Sequence, residues 1–409
     1  MDRWSRRDWL RNAGAAAAAL VVPPVRARDS LAWSDHAPPW DELFRRLPAD
    51  LRAVAASPRH QVQIVHTRIE RRPGHPPRLV HHGYRADPTR WFAAASLIKL
   101  PAAALALERA SAHALDGAAR IALDAAPATG EWPAGLALDQ TLLRCIRAVF
   151  VVSDNAEYNR LYEFLGPDAM QARLAALGYP DARVIARIGS FDPLANRAVG
   201  GSRLLAADGT TVERHPPRRS AIAWRYPYGQ VLRGRGWMDG EVLVPGPHDF
   251  SHVNNLPLAD VHRMVASVAV PEAFRADQRF ALTPALHALL HEAMGMFPRE
   301  CTEPRYDARE YPDNWAKFLV VGDSSANAPD WLRHVGKSGM AYGFLSDSAW
   351  LADVDAGVEC IVSAVVHANA DGVFNDDRYE YESIAQPFLA SLGRAALALA
   401  RDRASGGHA

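Results

Sequence analysis

Hydrophobic and polar positions alternate through Gln61-Val62-Gln63-Ile64-Val65-His66-Thr67, the period of a half-buried strand. Residues 79–84 read as its antiparallel partner, with Arg71-Arg72-Pro73-Gly74 in the connection. A helix is predicted before them over 41–56. After them, 97–110 is rich in Ala and Leu and strongly helical. Residues 142–150, 156–165 and 167–177 carry apolar side chains at helical spacing, and the pattern returns at 258–268 and 284–296. Between these blocks, 188–252 breaks the period with Gly200-Gly201, Gly209, Pro216-Pro217, Gly229, Gly234, Gly236 and Pro245-Gly246-Pro247. That density of turn formers predicts a long irregular insertion or lid-like loop region. Further on, 348–354 is strand-like, 358–367 is a nearly continuous β-prone run expected of a buried strand, and 383–399 is a last amphipathic helix. No internal repeat is present. Strands, then helices, then strands and a helix imply an α/β (α+β) fold. One antiparallel sheet, flanked by helices, is built from both ends of the chain, with an all-helical lobe inserted between them.

Composition narrows the function only by exclusion. The 409 residues are 49% hydrophobic and 22% charged, as in an ordinary globular protein. Lys+Arg and Asp+Glu both number 46, so the net charge is zero and gives no case for nucleic acid or an anionic membrane as partner. The N-terminus says more. Ser5-Arg6-Arg7-Asp8-Trp9-Leu10 precedes an apolar run over 13–22, Pro23-Pro24 and Val25-Arg26-Ala27. A basic start, a short apolar stretch and a small residue read as a signal peptide over 1–27. The paired arginines resemble a twin-arginine export signal. An uncleaved anchor is the alternative, but the run is shorter than the roughly 20 residues a spanning helix needs. The expectation is a periplasmic, soluble monomer with no stable anchor once the signal is removed. Its mature domain would run over 28–409, with a sheet lobe from 41–110 and 330–405 and the helical lobe over 111–329. Cys145, Cys301 and Cys360 form neither a disulfide framework nor a zinc motif and read as core residues, although one pair could join after export. His81, His82 and His334 are not at metal-ligand spacings and read as surface or core residues.

Three short motifs carry the chemistry: Ser96-Leu97-Ile98-Lys99, Ser153-Asp154-Asn155 and Lys337-Ser338-Gly339. A serine hydroxyl needs a base to act as a nucleophile. Residues three apart on a helix share a face, so Lys99 stands beside Ser96 at a helix start. Burial near other cations lowers a lysine pKa and lets it accept a proton. Read singly, the first motif is a capping serine with a solvated lysine, the second an N-cap for 156–165, and the third a surface turn.

Together and in this order, the motifs resemble those of the penicillin-recognising serine hydrolases, which include class A β-lactamases and D-alanyl peptidases. The resemblance implies a β-lactamase/transpeptidase-like fold and an acyl-enzyme at Ser96, with Lys99 as general base. It implies that Ser153 and Lys337 manage the proton to the leaving nitrogen, that Asn155 binds the substrate amide, and that Asp154 is structural. Ser338 would bind a substrate carboxylate, and Gly339 would let the substrate backbone approach closely. The backbone N–H groups of Ser96 and Met340 would form an oxyanion hole. No cofactor or metal is implied. The resemblance implies a small-molecule or peptidoglycan-peptide substrate as partner: a β-lactam or related amide, with a D-alanyl-D-alanine peptidase or a catalytically weak penicillin-binding protein as alternatives.

Two departures stand against this pattern. The Glu-x-x-Leu-Asn motif that activates the deacylating water in class A enzymes is missing. The nearest match is Asp192-Pro193-Leu194-Ala195-Asn196, which reads either as a base one methylene shorter or as a turn before proline. The 188–252 insertion is also longer than expected. Its cluster Trp224-Arg225-Tyr226-Pro227-Tyr228, with Arg233, Arg235 and Trp237, either binds a sugar or peptide or folds on its own aromatic residues. Residues 306–315, rich in aromatics and acids, have no functional reading from sequence.

Overall fold

Five antiparallel strands form the sheet that positions everything else. They are β1 (Gln63–Glu70), β2 (Arg78–Tyr84), β3 (Leu332–Ala341), β4 (Phe344–Asp353) and β5 (Val358–His367), in the order β3-β4-β5-β1-β2. The computed structural model describes residues 31, 33–34, 37–222 and 225–406. The expected signal over 1–27 and Trp224 of the aromatic cluster lie outside the described residues. The two parts of the chain meet where β1 pairs with β5, from Gln63 opposite Val365 to Arg68 opposite Cys360.

The sheet is buried on both faces, which explains the nearly continuous apolar run of β5. Cys360, Val362, Ala364 and Val366 pack with the helices α1 (Trp40–Arg45), α2 (Ala49–Ala56) and α9 (Gln386–Gly406), which contribute Leu43, Leu51, Phe388, Leu389 and Leu392. Each large apolar side chain so covered contributes about 1.5–3 kcal/mol relative to exposure. Ile361 and Val365 face the other way, into the core shared with the helical body. That body contains α3 (Lys99–Ala112), α4 (Leu142–Val151), α5 (Asn155–Leu165), α6 (Pro167–Ala176), α7 (Leu258–Ala269) and α8 (Pro284–Gly295). Leu100, Ala102, Ala103, Ala104, Ala106 and Leu107 of α3 are wholly buried. A helix apolar on every side is a core helix, so Lys99 at its start is carried into the centre of the molecule.

Several expectations from sequence are corrected. The helix expected over 41–56 is two helices, because Pro48 is extended (φ −51°, ψ 153°) and disfavours helical geometry at the residue before it. Pro101 sits in the first turn of α3, where no backbone bond is lost. Lys337-Ser338-Gly339 lies inside an edge strand rather than on a surface turn, since β3 starts five residues earlier. The lobe between the halves of the sheet is not helices alone. Asp139–Thr141, Arg120–Leu123, Ser202–Leu205 and Thr211–His215 make a second sheet in that order. The 188–252 segment is therefore not one irregular loop. It also supplies Gly236–Asp239 and Val242–Pro245, a hairpin joined in parallel by Val373–Phe374. These strands are two to five residues long, too short for alternation to register against the flanking glycines and prolines.

Candidate active site

The three motifs converge on one cleft of about 780 Å³, lined by Ser96, Ser153, Asn155, Ser338, Gly339 and Met340 among others. Ser96 lies on the 3₁₀ turn Ala95–Ile98 that leads into α3. Leu97 and Ile98 are fully buried, which anchors the turn, while Ser96 keeps partial exposure. Ala95 before it has a left-handed backbone (φ 46°), a conformation that costs about 1–3 kcal/mol outside glycine and that clusters at functional sites. Gly339 on β3 explains how the strand reaches this turn. A Cβ there would stand 2.8 Å from the Ala94 carbonyl and 3.3 Å from Ala95 Cβ. The glycine thus admits the serine's own turn, a tighter demand than the substrate approach the resemblance implied.

Lys99 is wholly buried. Its Nζ donates to the Ser153 carbonyl, to Ser153 Oγ (3.1 Å) and to Asn155 Oδ1 (2.5 Å). Burial pulls its pKa down to about 7, with Asp154 and Glu131 opposing the fall. A lysine in this range can take a proton at neutral pH. Lys337 Nζ approaches from the sheet, donating to Ser153 Oγ (2.9 Å) and to the Ser338 carbonyl (2.8 Å). Burial, then the nearby Lys99 and Lys317 cations, hold it well below the ordinary lysine range against the pull of Asp347. Two amines therefore share one hydroxyl, and their mutual repulsion favours a state in which only one is charged.

Ser153 follows α4 with a left-handed backbone (φ 59°), which turns its hydroxyl between the lysines. Asp154 caps α5 by accepting the Glu157 N–H (2.8 Å) and does not face a lysine through a hydrogen bond. Ser338 Oγ donates to the Ala316 carbonyl (2.8 Å), so its proton is committed to the cleft wall. Met340 is 50% exposed on the cleft rim.

Asp192 is not among the cleft-lining residues. It is exposed, and its Oδ1 accepts from the Leu194 (2.8 Å) and Ala195 (3.1 Å) amides, the turn alternative read from its Asp-Pro pair. The insertion's aromatic residues mostly pack on each other and on the body. Trp91 Nε1 donates to Tyr226 OH (2.9 Å), Arg233 lies over Trp91, and Trp237 stacks on His248 at 3.8 Å and meets Tyr342 at 5.7 Å.

Sequence reasoning missed four participants. Glu131 Oε2 accepts from Asn155 Nδ2 (2.8 Å). Asp347, fully buried, accepts through Oδ2 from His334 Nε2 (2.9 Å) and from the Phe318 (2.8 Å) and Leu319 (2.9 Å) amides, pinning that loop to β4. Lys317, buried beside it, donates to the Met294 (2.6 Å) and His334 (3.1 Å) carbonyls. Trp315 is 46% exposed on the cleft wall and donates to the Val152 carbonyl (3.0 Å), which gives the unexplained 306–315 segment a place. Only the charge of Lys317, set among the apolar residues Trp315, Ala316, Phe318 and Leu319, hinted at such a role; Asp347 stands between two serines and gave no such signal. Cys145, Cys301 and Cys360 are buried and free.

Comparison with known proteins agrees with the geometry. Residues 49–212 match the model of the β-lactamase enzyme family. No curated protein matches the sequence. Among solved structures, one described as PBP-A is 13% identical at a TM-score of 0.50, covering 89% of this chain and 98% of its own. A β-lactamase from Sphaerobacter thermophilus is 16% identical at 0.47, covering 87% and 96%. One from Xanthomonas campestris is 14% identical at 0.48, covering 86% and 97%. At 13% identity the likeness to PBP-A is one of fold. Residues 49–212 thus carry the pattern of the β-lactamase enzyme family, on a fold similar to that of PBP-A.

Proposed function

We propose that the protein is a serine hydrolase that forms an acyl-enzyme at Ser96 on a β-lactam or a related amide. One observation carries the reading: Ser153 Oγ accepts from both Lys99 Nζ and Lys337 Nζ in the cleft that Ser96 lines. Neutral Lys99 takes the Ser96 proton as Oγ attacks the carbonyl. The backbone N–H groups of Ser96 and Met340 hold the developing oxyanion. Ser153, bridged to both amines, passes the proton to the leaving nitrogen. Water then releases the acyl group and restores Ser96.

A second reading concerns how fast that release is. Asp192, the acid nominated for the deacylating water, has its Oδ1 bonded to backbone amides on an exposed turn. This favours a long-lived acyl-enzyme and a D-alanyl-peptidase-like role over rapid β-lactam turnover. Intact-protein mass spectrometry over time with a fluorescent penicillin separates the two. A persistent adduct on Ser96 is expected, and it is abolished in Ser96→Ala. Rapid hydrolysis with a fleeting adduct would mean a turning-over β-lactamase. No adduct and no hydrolysis would remove β-lactams from the substrate class. Asp192→Glu leaves the adduct lifetime unchanged on this reading; faster release would return Asp192 to the mechanism.

The periplasmic setting is also proposed, resting on Arg6-Arg7 and the apolar run over 13–22. Replacing both arginines by lysine is expected to leave the protein in the cytoplasm; unimpeded export would remove the twin-arginine route.

A further inference from the structure

The loop whose Asp192 was the expected base for the deacylating water presents Gly189 to a different carboxylate, that of Glu131, which packs against it. Gly189 has a left-handed backbone (φ 80°), and a Cβ there would lie 2.8 Å from Glu131 Cγ. The space a side chain would take on the 188–192 loop is thus filled by the Glu131 stem. The Glu131 backbone is fixed by two bonds, its N–H to the Ile188 carbonyl (3.0 Å) and its carbonyl to Asn159 Nδ2 (3.0 Å). The same Asn159 amide reaches the Ile188 carbonyl (3.0 Å), and its Oδ1 accepts the Ile188 N–H (2.9 Å). Loop 188–192 and the Glu131 segment are therefore clamped together through α5. The Glu131 side chain then extends to Asn155, completing an unbroken chain from Glu131 Oε2 through Nδ2 and Oδ1 of Asn155 to Lys99 Nζ.

We propose that Glu131 is the positioning carboxylate of this site, fixing which way the Asn155 amide points and biasing the charge of Lys99 from the loop before α4. This rests on the serine acyl-transfer reading above. With Nδ2 committed to a carboxylate, which can only accept, Oδ1 must face Lys99; the reverse orientation would set two acceptors against each other. The charged groups acting on Lys99 are Asp154, which caps α5, Glu131 itself, and Lys337 from β3. Glu131 and Asp154 favour the lysine cation, while burial and Lys337 oppose it.

The test reads the rate of Ser96 labelling against pH in the full chain, with a fluorescent penicillin and with a fluorophosphonate as probes. Labelling of the wild type rises with pH as Lys99 loses its proton. Glu131→Gln keeps a side chain that can accept from Asn155 but removes the charge, so the rise moves to lower pH. Glu131→Asp retains the charge and holds the wild-type midpoint. Gly189→Ala, which crowds the Glu131 stem, moves the midpoint as Glu131→Gln does. A Glu131→Gln profile that keeps its midpoint and only drops in height would overturn the proposal, because loss of mere structural support lowers the rate without moving the titration. Absence of labelling by both probes in the wild type would instead sink the acyl-transfer reading, so the two failures are distinct.

Discussion

At the scale of single residues, the site depends on a lysine that burial has brought to about pH 7 and on a glycine where nothing larger fits. Lys99→Met preserves the apolar stem and deletes the amine. Ser96 labelling is expected to slow by about 100- to 10,000-fold, the usual worth of a positioned general base. The wild-type rate should climb through pH 7, and a pH series of stopped-flow labelling checks both. Gly339→Ala places a methyl 2.8 Å from the Ala94 carbonyl, so the turn holding Ser96 must move. A displacement near an ångström costs about 100-fold in rate. The loss should appear in the labelling rate while thermal unfolding shows the mutant still folded. Ser96, Lys99, Ser153 and Lys337 were legible because each motif is local, readable from a few adjacent residues. Glu131 was not, because a lone glutamate in a loop has no period and its partner Asn155 lies 24 positions away. Asp192 was misleading for the converse reason. Its Asp-Pro-Leu-Ala-Asn string is a sound local pattern, but the Leu194 and Ala195 amides occupy the carboxylate.

At the scale of elements, the cleft's far wall depends on one strand-borne acid. Burial pushes the Asp347 carboxyl up, but His334 and the Phe318 and Leu319 amides more than offset this and hold it below the usual carboxylate range. Asp347→Ala removes the acceptor for two buried amides and a buried imidazole. Breaking a buried pair from one side costs about 3–5 kcal/mol. Urea unfolding should report that loss, and labelling of Ser96 should weaken with it, because Ala316, the acceptor for Ser338, belongs to the same loop. Long elements were legible: α3, α5 and β5 each carry a sustained period or a nearly continuous apolar run. The short strands of the 188–252 segment were not, because their pairing is decided by partners as distant as Val373 and Phe374.

At the scale of the whole molecule, the buried histidines set an acid limit. Thr67 Oγ1 meets His81 Nδ1 and His262 Nε2 at 2.6 Å each, His262 Nδ1 meets Ser363 Oγ at 2.8 Å, and that hydroxyl meets Ser348 Oγ at 2.6 Å. Burial lowers His66 to about 3, His81 and His367 to about 4, and holds His262 well below the ordinary imidazole range. The unfolded chain binds protons at these sites below about pH 6.5 while the folded chain does not. Stability from the neutral histidines is thus complete above pH 6.5 and is lost as pH falls toward 4. Urea midpoints at pH 7, 5.5 and 4.5 should fall in that order, and His262→Gln should flatten the trend. The β1–β5 seam carries a consequence of another kind. It joins positions about 300 residues apart, a separation that makes closure of the sheet a slow, late event in folding. During synthesis, Ser96, Lys99 and Ser153 all leave the ribosome long before the strand that completes the sheet. Until residues 358–367 arrive, Ser96, Lys99 and Ser153 exist as sequence but not as a cleft, so the proposed site assembles only after both partners of the β1–β5 seam have been made.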